Sequence, residues 1–195
     1  MIEDHIDFLQ KHGIQLKQHH LEKLNKFAKL ILQWNRKINL TAARSIEDLI
    51  KRHLLDSLMP ITIGFFREKE VIDLGSGGGF PAIPLSIYLE NIRFILIEKV
   101  SKKCAFLNKV KRELSLNKIE IINKPFESLC NPIPSSLITR AVKIDRKMLD
   151  KFREKGIIWY YSFETEKPLK GLFCQYTLPG EEKIRFVVKR KTDEK

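Results

Sequence analysis

Thiols are scarce in this sequence: Cys104, Cys130 and Cys174 are the only three, and no two stand in a C-x-x-C pair. Neither a disulfide framework nor a cysteine zinc site is expected, and a reducing cytoplasm is the natural setting. No apolar run is long enough to span a bilayer, and the start, Met1-Ile2-Glu3-Asp4, is too acidic and polar for a secretory leader. Three catalytic signatures are also missing: the G-x-x-x-x-G-K-[ST] phosphate loop, the H-E-x-x-H zinc helix and the G-x-S-x-G nucleophile turn. Acidic side chains are outnumbered, 24 Asp and Glu against 36 Lys and Arg, which leaves a formal charge of +12. Such an excess usually serves a polyanionic partner. The lysines are spread along the whole chain, so basic drift in composition is the competing explanation.

Glycine is sparse too, nine in all, yet Gly75, Gly77, Gly78 and Gly79 crowd into one turn. They follow the apolar run Val71-Ile72-Asp73-Leu74 and precede Phe80-Pro81, the pattern of a buried parallel strand passing through a tight loop into a helix. Glycines there remove the Cβ atoms that keep a ligand from the backbone, and Pro81 suits a first helical turn. The place is the carboxyl end of a first strand, where open α/β sheets bind ligands. Dinucleotide folds carry G-x-G-x-x-G, but Phe80 occupies the third glycine position. The pattern D-x-G-x-G-x-G instead resembles the first motif of the S-adenosylmethionine-dependent methyltransferases. A glycine-rich turn without a ligand is the bland alternative, and it would discard stability for nothing.

Ahead of this loop, Ile6 and Leu9 mark a short helix ending near Gly13. Leu21, Leu24, Phe27, Ala28, Ile31 and Leu32 mark a longer one that closes at Trp34-Asn35-Arg36. Ser45 caps a third, through Leu49, Ile50, His53, Leu54 and Leu58, which Pro60 is expected to stop. After the loop come a helix through Ile83 to Leu89, a strand from Arg93 to Ile97, a helix capped by Ser101, and strands at Ile119–Ile122 and Ser136–Thr139. Asp145 is expected to cap a further helix. Ile157 to Tyr161 reads as a fifth strand. Leu172 to Leu178 and Ile184 to Val188, joined across Pro179-Gly180, suit an antiparallel pair at the sheet edge. Alternating strands and helices argue for parallel pairing. The expected fold is α/β, a Rossmann-like class I methyltransferase sheet, mostly parallel with an antiparallel edge. Residues 1–60 form a helical cap packed on the main domain, and 61–195 form the S-adenosylmethionine-binding domain.

Glu98, at the tip of the second strand and about twenty residues past the glycines, is where such folds hold ribose hydroxyls. Arg140, following the fourth strand, would hold a carboxylate, a phosphate or a purine edge; a surface ion pair explains it as readily. Phe126-Glu127, after the third strand, would lay an apolar face against adenine. No Pro-Cys pair follows a strand, which excludes a covalent cytosine methylase, and Asn131-Pro132-Ile133-Pro134 reads as a loop and not as an amine-methylase signature.

The motifs resemble more closely the glucose-inhibited division protein B family, guanine-N7 methyltransferases of small-subunit ribosomal RNA. The resemblance rests on Trp34-Asn35, Asn39-Leu40-Thr41, Arg52-His53 with Asp56-Ser57, and Asp73-Leu74-Gly75-Ser76-Gly77 leading to Gly79-Phe80-Pro81 and Ile83-Pro84-Leu85. Lys102-Lys103, Phe106-Leu107, Glu127, Thr139-Arg140-Ala141 and Leu178-Pro179-Gly180 complete it. It implies that Gly75, Phe80, Phe126, Glu127 and Arg140 contact S-adenosyl-L-methionine, with Glu98 a further candidate at the ribose. It departs from the family at Lys103, usually Arg, at Pro125, where a basic residue is common, and around Ser135-Ser136, where an acidic one is usual. The implied reaction is methyl transfer to N7 of a guanine in 16S ribosomal RNA, free or in the assembling 30S particle. The protein is expected to be a cytoplasmic monomer needing neither metal nor membrane.

N7 of guanine is an unprotonated sp² nitrogen, so no general base is expected and the catalytic residues stay unassigned. Arg140 is predicted to position cofactor or phosphate and not to stabilise the cationic product. His53 and Asp56, one turn apart, either form a polar edge of the cap that closes over RNA or hold cap to sheet. Lys102 and Lys103 either contact ribose-phosphate or make a solvated face. Three other functions fit some features: methylation of a protein or small molecule, an RNA-binding module without turnover, and, disfavoured by Phe80, a nicotinamide oxidoreductase.

Overall fold

The structure, a computed structural model, describes residues 1–65, 69–125, 128, 136–140, 157–163 and 172–191. Its amino-terminal part is helical. A 3-10 turn (Ile2–His5) leads into α1 (Ile6–Lys11), and Gly13, at φ 73°, reverses the chain. Helix α2 (Gln18–Asn35) buries Leu21, Leu24, Phe27, Ala28 and Ile31 along one stripe, at the spacing that puts apolar side chains on a single face. Ser45 caps α3 (Ile46–Leu49), its Oγ accepting the Asp48 N–H at 3.1 Å.

The α-helical run of the third helix ends at Leu58, ahead of Pro60 as expected, although the chain winds on for a short 3-10 turn. From α3 the chain widens into a π-helix (Ile50–Leu55), resumes as α4 (Asp56–Leu58), and tightens into a 3-10 turn (Met59–Ile63). Pro60 sits in the first positions of that turn, where its missing N–H is not needed, and Gly64 at φ 88° ends the run. Wide turns of this kind are rare and concentrate at functional sites.

Seven strands form one sheet in the order β3-β2-β1-β4-β5-β7-β6. They are β1 (Glu70–Leu74), β2 (Arg93–Ile97), β3 (Ile119–Ile122), β4 (Ser136–Thr139), β5 (Ile157–Phe163), β6 (Leu172–Thr177) and β7 (Ile184–Lys191). The first five pair in parallel, and β7 runs antiparallel between β5 and β6. The fold is therefore a Rossmann-like sheet, mostly parallel with an antiparallel edge. Strand β1 is buried on both faces from Val71 to Leu74, as its apolar residues Val71, Ile72 and Leu74 require, and Asp73 is buried with them. Strands β5 and β7 extend past the sequence boundaries, to Phe163 and Lys191.

Helices α5 (Ala82–Tyr88) and α6 (Ser101–Glu113) follow β1 and β2. Ser101 is not the cap of α6. The carbonyl of Val100 takes the N–H groups of Lys103 and Cys104, at 2.9 and 3.1 Å, while the Ser101 hydroxyl donates to Asn123 Oδ1 at 2.8 Å. The predicted helix at Asp145 lies outside the described residues, as do the Asn131–Pro134 loop, Ser135 and Ala141. Helix α2 packs on α5 and α6, with the Phe27 and Phe80 rings 5.3 Å apart and Trp34 5.6 Å from Phe106. The helical layer thus lies directly over the strand-to-helix loop that follows β1.

Candidate functional site

The loop Gly75–Pro81 is pinned to the tip of β2. Gly75 and Ser76 both donate to the Ile97 carbonyl, at 2.9 and 3.1 Å, and Gly77 donates to Glu98 Oε2 at 2.9 Å. Gly75, Gly77 and Gly79 have φ of 68°, 55° and 90°, a region that L side chains rarely adopt. Gly79 also lacks room: a Cβ there would stand 2.5 Å from Ile83 Cγ1 and 3.1 Å from Leu107 Cδ2. Close helix-to-strand packing, the task of the third glycine in a dinucleotide motif, thus falls to Gly79 one position earlier. At Gly77 a Cβ would meet nothing nearer than the Gly75 carbonyl at 3.7 Å among the described residues, so on their side this backbone is open. Gly78 touches the cap, where a Cβ would stand 3.1 Å from the Leu40 carbonyl.

Glu98 is buried, and both its carboxylate oxygens are engaged: Oε2 by Gly77 N–H and Oε1 by Val100 N–H at 2.8 Å. It joins the glycine loop to the start of α6. Asp73, at the end of β1, is 1% exposed, and neither carboxylate oxygen has a hydrogen-bond partner among the described residues. Burial pushes its carboxyl up to about 7, against weaker downward pulls from the Ser76 hydroxyl, which donates to the Asp73 main-chain carbonyl at 3.0 Å, and then from the Arg140 charge. Thr139 on β4, in register with Leu74 and so on the other face of the sheet from Asp73, is also buried with an unpartnered Oγ1 among the described residues. Unpaired buried polar groups cost stability, so the Asp73 carboxylate at the start of the glycine loop suits a ligand with a complementary group. S-adenosyl-L-methionine fits: its ammonium would complement the Asp73 carboxylate, and its bulk would need the bare loop.

On the β4 side of the loop, Arg140 is drawn into the cap. Its Nη1 lies 3.3 Å from Asp56 Oδ2 and 3.5 Å from Ser57 Oγ; its Nη2 lies 2.5 Å from His53 Nδ1 and 3.4 Å from the Arg52 carbonyl. The guanidinium carbon stands 5.7 Å from the centre of the Phe80 ring. His53 is held down at about 3, chiefly by burial and then by the Arg140, Arg185 and Arg52 charges, so it is neutral. Since its Nδ1 accepts from Arg140, its Nε2–H donates to Thr41 Oγ1, at 2.8 Å. Thr41 is in turn fixed by Asn35, whose Oδ1 takes the N–H groups of Leu40 and Thr41 at 2.8 and 3.0 Å.

Asp56, 2% exposed, is the hub of this cluster. Tyr176 on β6 donates its hydroxyl to Oδ1 at 2.7 Å, and Arg185 Nη1 on β7 lies 3.6 Å from the same oxygen. His53 and Asp56 do not bond to one another; each reaches a different edge of Arg140. The π-helix and α4 present both toward the tip of β4.

The structure therefore brings Gly75, Phe80, Glu98 and Arg140 around one loop, with His53 and Asp56 on its β4 side. Phe80 is nearly buried among Phe27, His53 and Arg140. Lys102 and Lys103 lie on the β2 side, in the first turn of α6, without ion pairs among the described residues. Phe126 and Glu127 lie outside the described residues. Asp73 and Thr139 entered the sequence reading only as members of motifs, without a role of their own, and Tyr176 and Arg185 not at all. Asp73 carried a further signal, a carboxylate amid the apolar residues Val71, Ile72 and Leu74 of a buried strand; Tyr176 and Arg185 carried none.

Residues 20–167 match the family described as GidB, rRNA small subunit methyltransferase G. A ribosomal RNA small subunit methyltransferase G of Helicobacter acinonychis is 37% identical over 150 residues, 74% of this chain and 83% of that one. The protein of the same name from Thermoanaerobacter sp. is 37% identical over 125 residues, 64% of this chain and 52% of the relative. The chain thus spans about half the length of several curated relatives it matches. Among solved structures, an RNA methyltransferase from Salinibacter ruber in complex with S-adenosyl-L-homocysteine superposes with a TM-score of 0.54 at 14% identity, covering 73% of this chain and 91% of that one. That likeness shows a shared class I methyltransferase fold.

Proposed function

The chain belongs to the rRNA small subunit methyltransferase G family, and from that premise we propose that it transfers a methyl group from S-adenosyl-L-methionine to N7 of a guanine in 16S ribosomal RNA. The observation that carries this reading is the open backbone at Gly77, four residues after a buried Asp73 whose carboxylate has no hydrogen-bond partner among the described residues. When bound, the cofactor supplies an electrophilic methyl group on a sulfonium. Gly75 and Gly77 would leave room for it, and Asp73 would pair with its ammonium. Glu98, with both oxygens already engaged by backbone N–H groups, holds the loop in shape and would meet ribose hydroxyls through its remaining lone pairs.

The chain's own residues suit a transfer that moves no proton. His53 is neutral, and both ring nitrogens are engaged, by Arg140 and by Thr41. It is therefore not placed as a base, and guanine N7 needs none. What remains is to hold donor and acceptor in line and exclude water, which the cap does by laying Leu40 on Gly78. Arg140 is a cation near a base that becomes cationic, but Asp56 offsets its charge. Arg140 accordingly positions cofactor or phosphate. Lys102 and Lys103, on the β2 side, would hold RNA phosphates, and the +12 charge would draw the polyanion in. We read the protein as a cytoplasmic monomer acting on 16S RNA or the assembling 30S particle without a metal.

The test is to incubate the purified protein with methyl-labelled cofactor and, separately, with protein-free 16S RNA and 30S particles, then digest and analyse nucleosides by mass spectrometry. Labelled 7-methylguanosine at one position in either substrate is the expected result. Label in protein or in small molecules only would overturn the reading.

A further inference from the structure

Resting on that reading of the site, we infer that Tyr176 and Arg185, in the β6–β7 hairpin beyond the family-matched residues, are positioning residues that set Arg140 for the cofactor through Asp56. The argument starts from charge. Asp56 is buried and would be costly to hold with one distant partner, since its 3.3 Å contact with Arg140 is looser than a good charge-assisted bond. Tyr176 supplies the short bond, 2.7 Å to Oδ1, which leaves Oδ2 to Arg140. Arg185 adds a second cation at 3.6 Å and is itself anchored by Glu181, Nη2 to Oε2 at 2.8 Å. Glu181 then reaches back to Arg52 Nε at 3.2 Å, and the Arg52 carbonyl accepts from Arg140 Nη2.

Signs alternate along the chain Arg140, Asp56, Arg185, Glu181, Arg52, and its two ends meet at Arg140. The π-helix and α4 hold the guanidinium directly, and the hairpin fixes the Asp56 carboxylate with which it pairs. With the hydroxyl of Tyr176 gone, Oδ1 and Oδ2 become alternative seats for Arg140, and its Nη2 loses registry with His53. The route from Tyr176 and Arg185 to the cofactor thus runs through Asp56 and Arg140.

The experiment is calorimetric titration of S-adenosyl-L-homocysteine into the full chain and into Tyr176→Phe, Arg185→Met, Arg185→Lys and, as a hairpin control, Glu182→Ala, with melting temperatures and RNA methylation measured in parallel. Tyr176→Phe and Arg185→Met are expected to weaken binding about tenfold, the effect of one charge-assisted hydrogen bond. Arg185→Lys should recover most of the affinity, Glu182→Ala should change nothing, and Tyr176→Phe should melt within a few degrees of the unaltered protein. Unchanged affinity in folded Tyr176→Phe overturns the inference, as does a loss that tracks melting temperature across all variants. Should Arg185→Met fail to fold, Tyr176→Phe alone decides. Absence of RNA methylation by the unaltered protein would overturn the functional reading and leave the affinity comparison standing.

Discussion

Two regions make this site, and they are built by opposite means. The glycine loop is local: Gly77 meets Glu98 only 21 residues away, and its shape lies in backbone angles. The Arg140 cluster is assembled over long separations, His53 to Arg140 across 87 residues and Asp56 to Tyr176 across 120, and its shape lies in side-chain charges. A loop held by backbone fails when a side chain is added. A cluster held by charges fails when one is removed.

Deleting the hub is the most damaging change available to this comparison. Asp56→Ala removes the carboxylate that Arg140 and Arg185 share, both of them largely buried, and is expected to cost roughly 3–5 kcal/mol in urea denaturation. Gly79→Ala is the matching insult to the loop. With φ at 90° and a Cβ 2.5 Å from Ile83 Cγ1, about 2–3 kcal/mol of strain is expected. A near-neutral result for either would erase the distinction.

pH separates the two regions by sign. His53 sits at about 3 in the fold against an ordinary 6.5, so its protonation favours unfolding: stability is full above 6.5 and falls as pH drops toward 3. Asp73 sits at about 7 against an ordinary 3.8, so its ionisation favours unfolding: stability is full below 3.8 and declines as pH rises through 7. Each contributes a slope of at most ~1.4 kcal/mol per pH unit. His53→Gln should flatten the acid limb of urea-denaturation stability, and Asp73→Asn the limb between 4 and 7. Since Asp73 would pair with a cation, S-adenosyl-L-homocysteine should bind more tightly at pH 8 than at pH 6, and Asp73→Asn should lose that gain.

The smallest effects lie outside both regions. Lys103→Ala should lower the salt dependence of RNA binding by about one unit of slope, with no change in melting temperature. Ser45→Ala removes the cap of α3 and should cost about 1 kcal/mol.

What was legible in the sequence follows the same division. The strand, the four glycines and Glu98 could be read because periodicity and glycine spacing report on backbone, and β1 to β4 lie where those signals put them. Misplaced caps arose where backbone made a side chain unnecessary, as when the Val100 carbonyl did what was expected of Ser101. Pro60 ended the α-helix as expected but could not tell of the 3-10 turn that follows, whose first positions need no N–H from it. The spacing of His53 and Asp56 put both on one face but could not say what that face met. The β6–β7 hairpin was legible across Pro179-Gly180, but Tyr176 and Arg185 also need β7 to pair with β5 to reach Asp56, and no local pattern encodes that pairing.

The claim beneath all of this is that Gly77 is bare so that a ligand can lie against it. Titrating S-adenosyl-L-homocysteine into Gly77→Ala measures it directly, because the new Cβ enters open space and, at φ 55°, should cost the fold only about 1 kcal/mol. Binding at least ~100-fold weaker than in the unaltered protein, with melting within a few degrees, is the expected result. Equal affinity in the two proteins would contradict it.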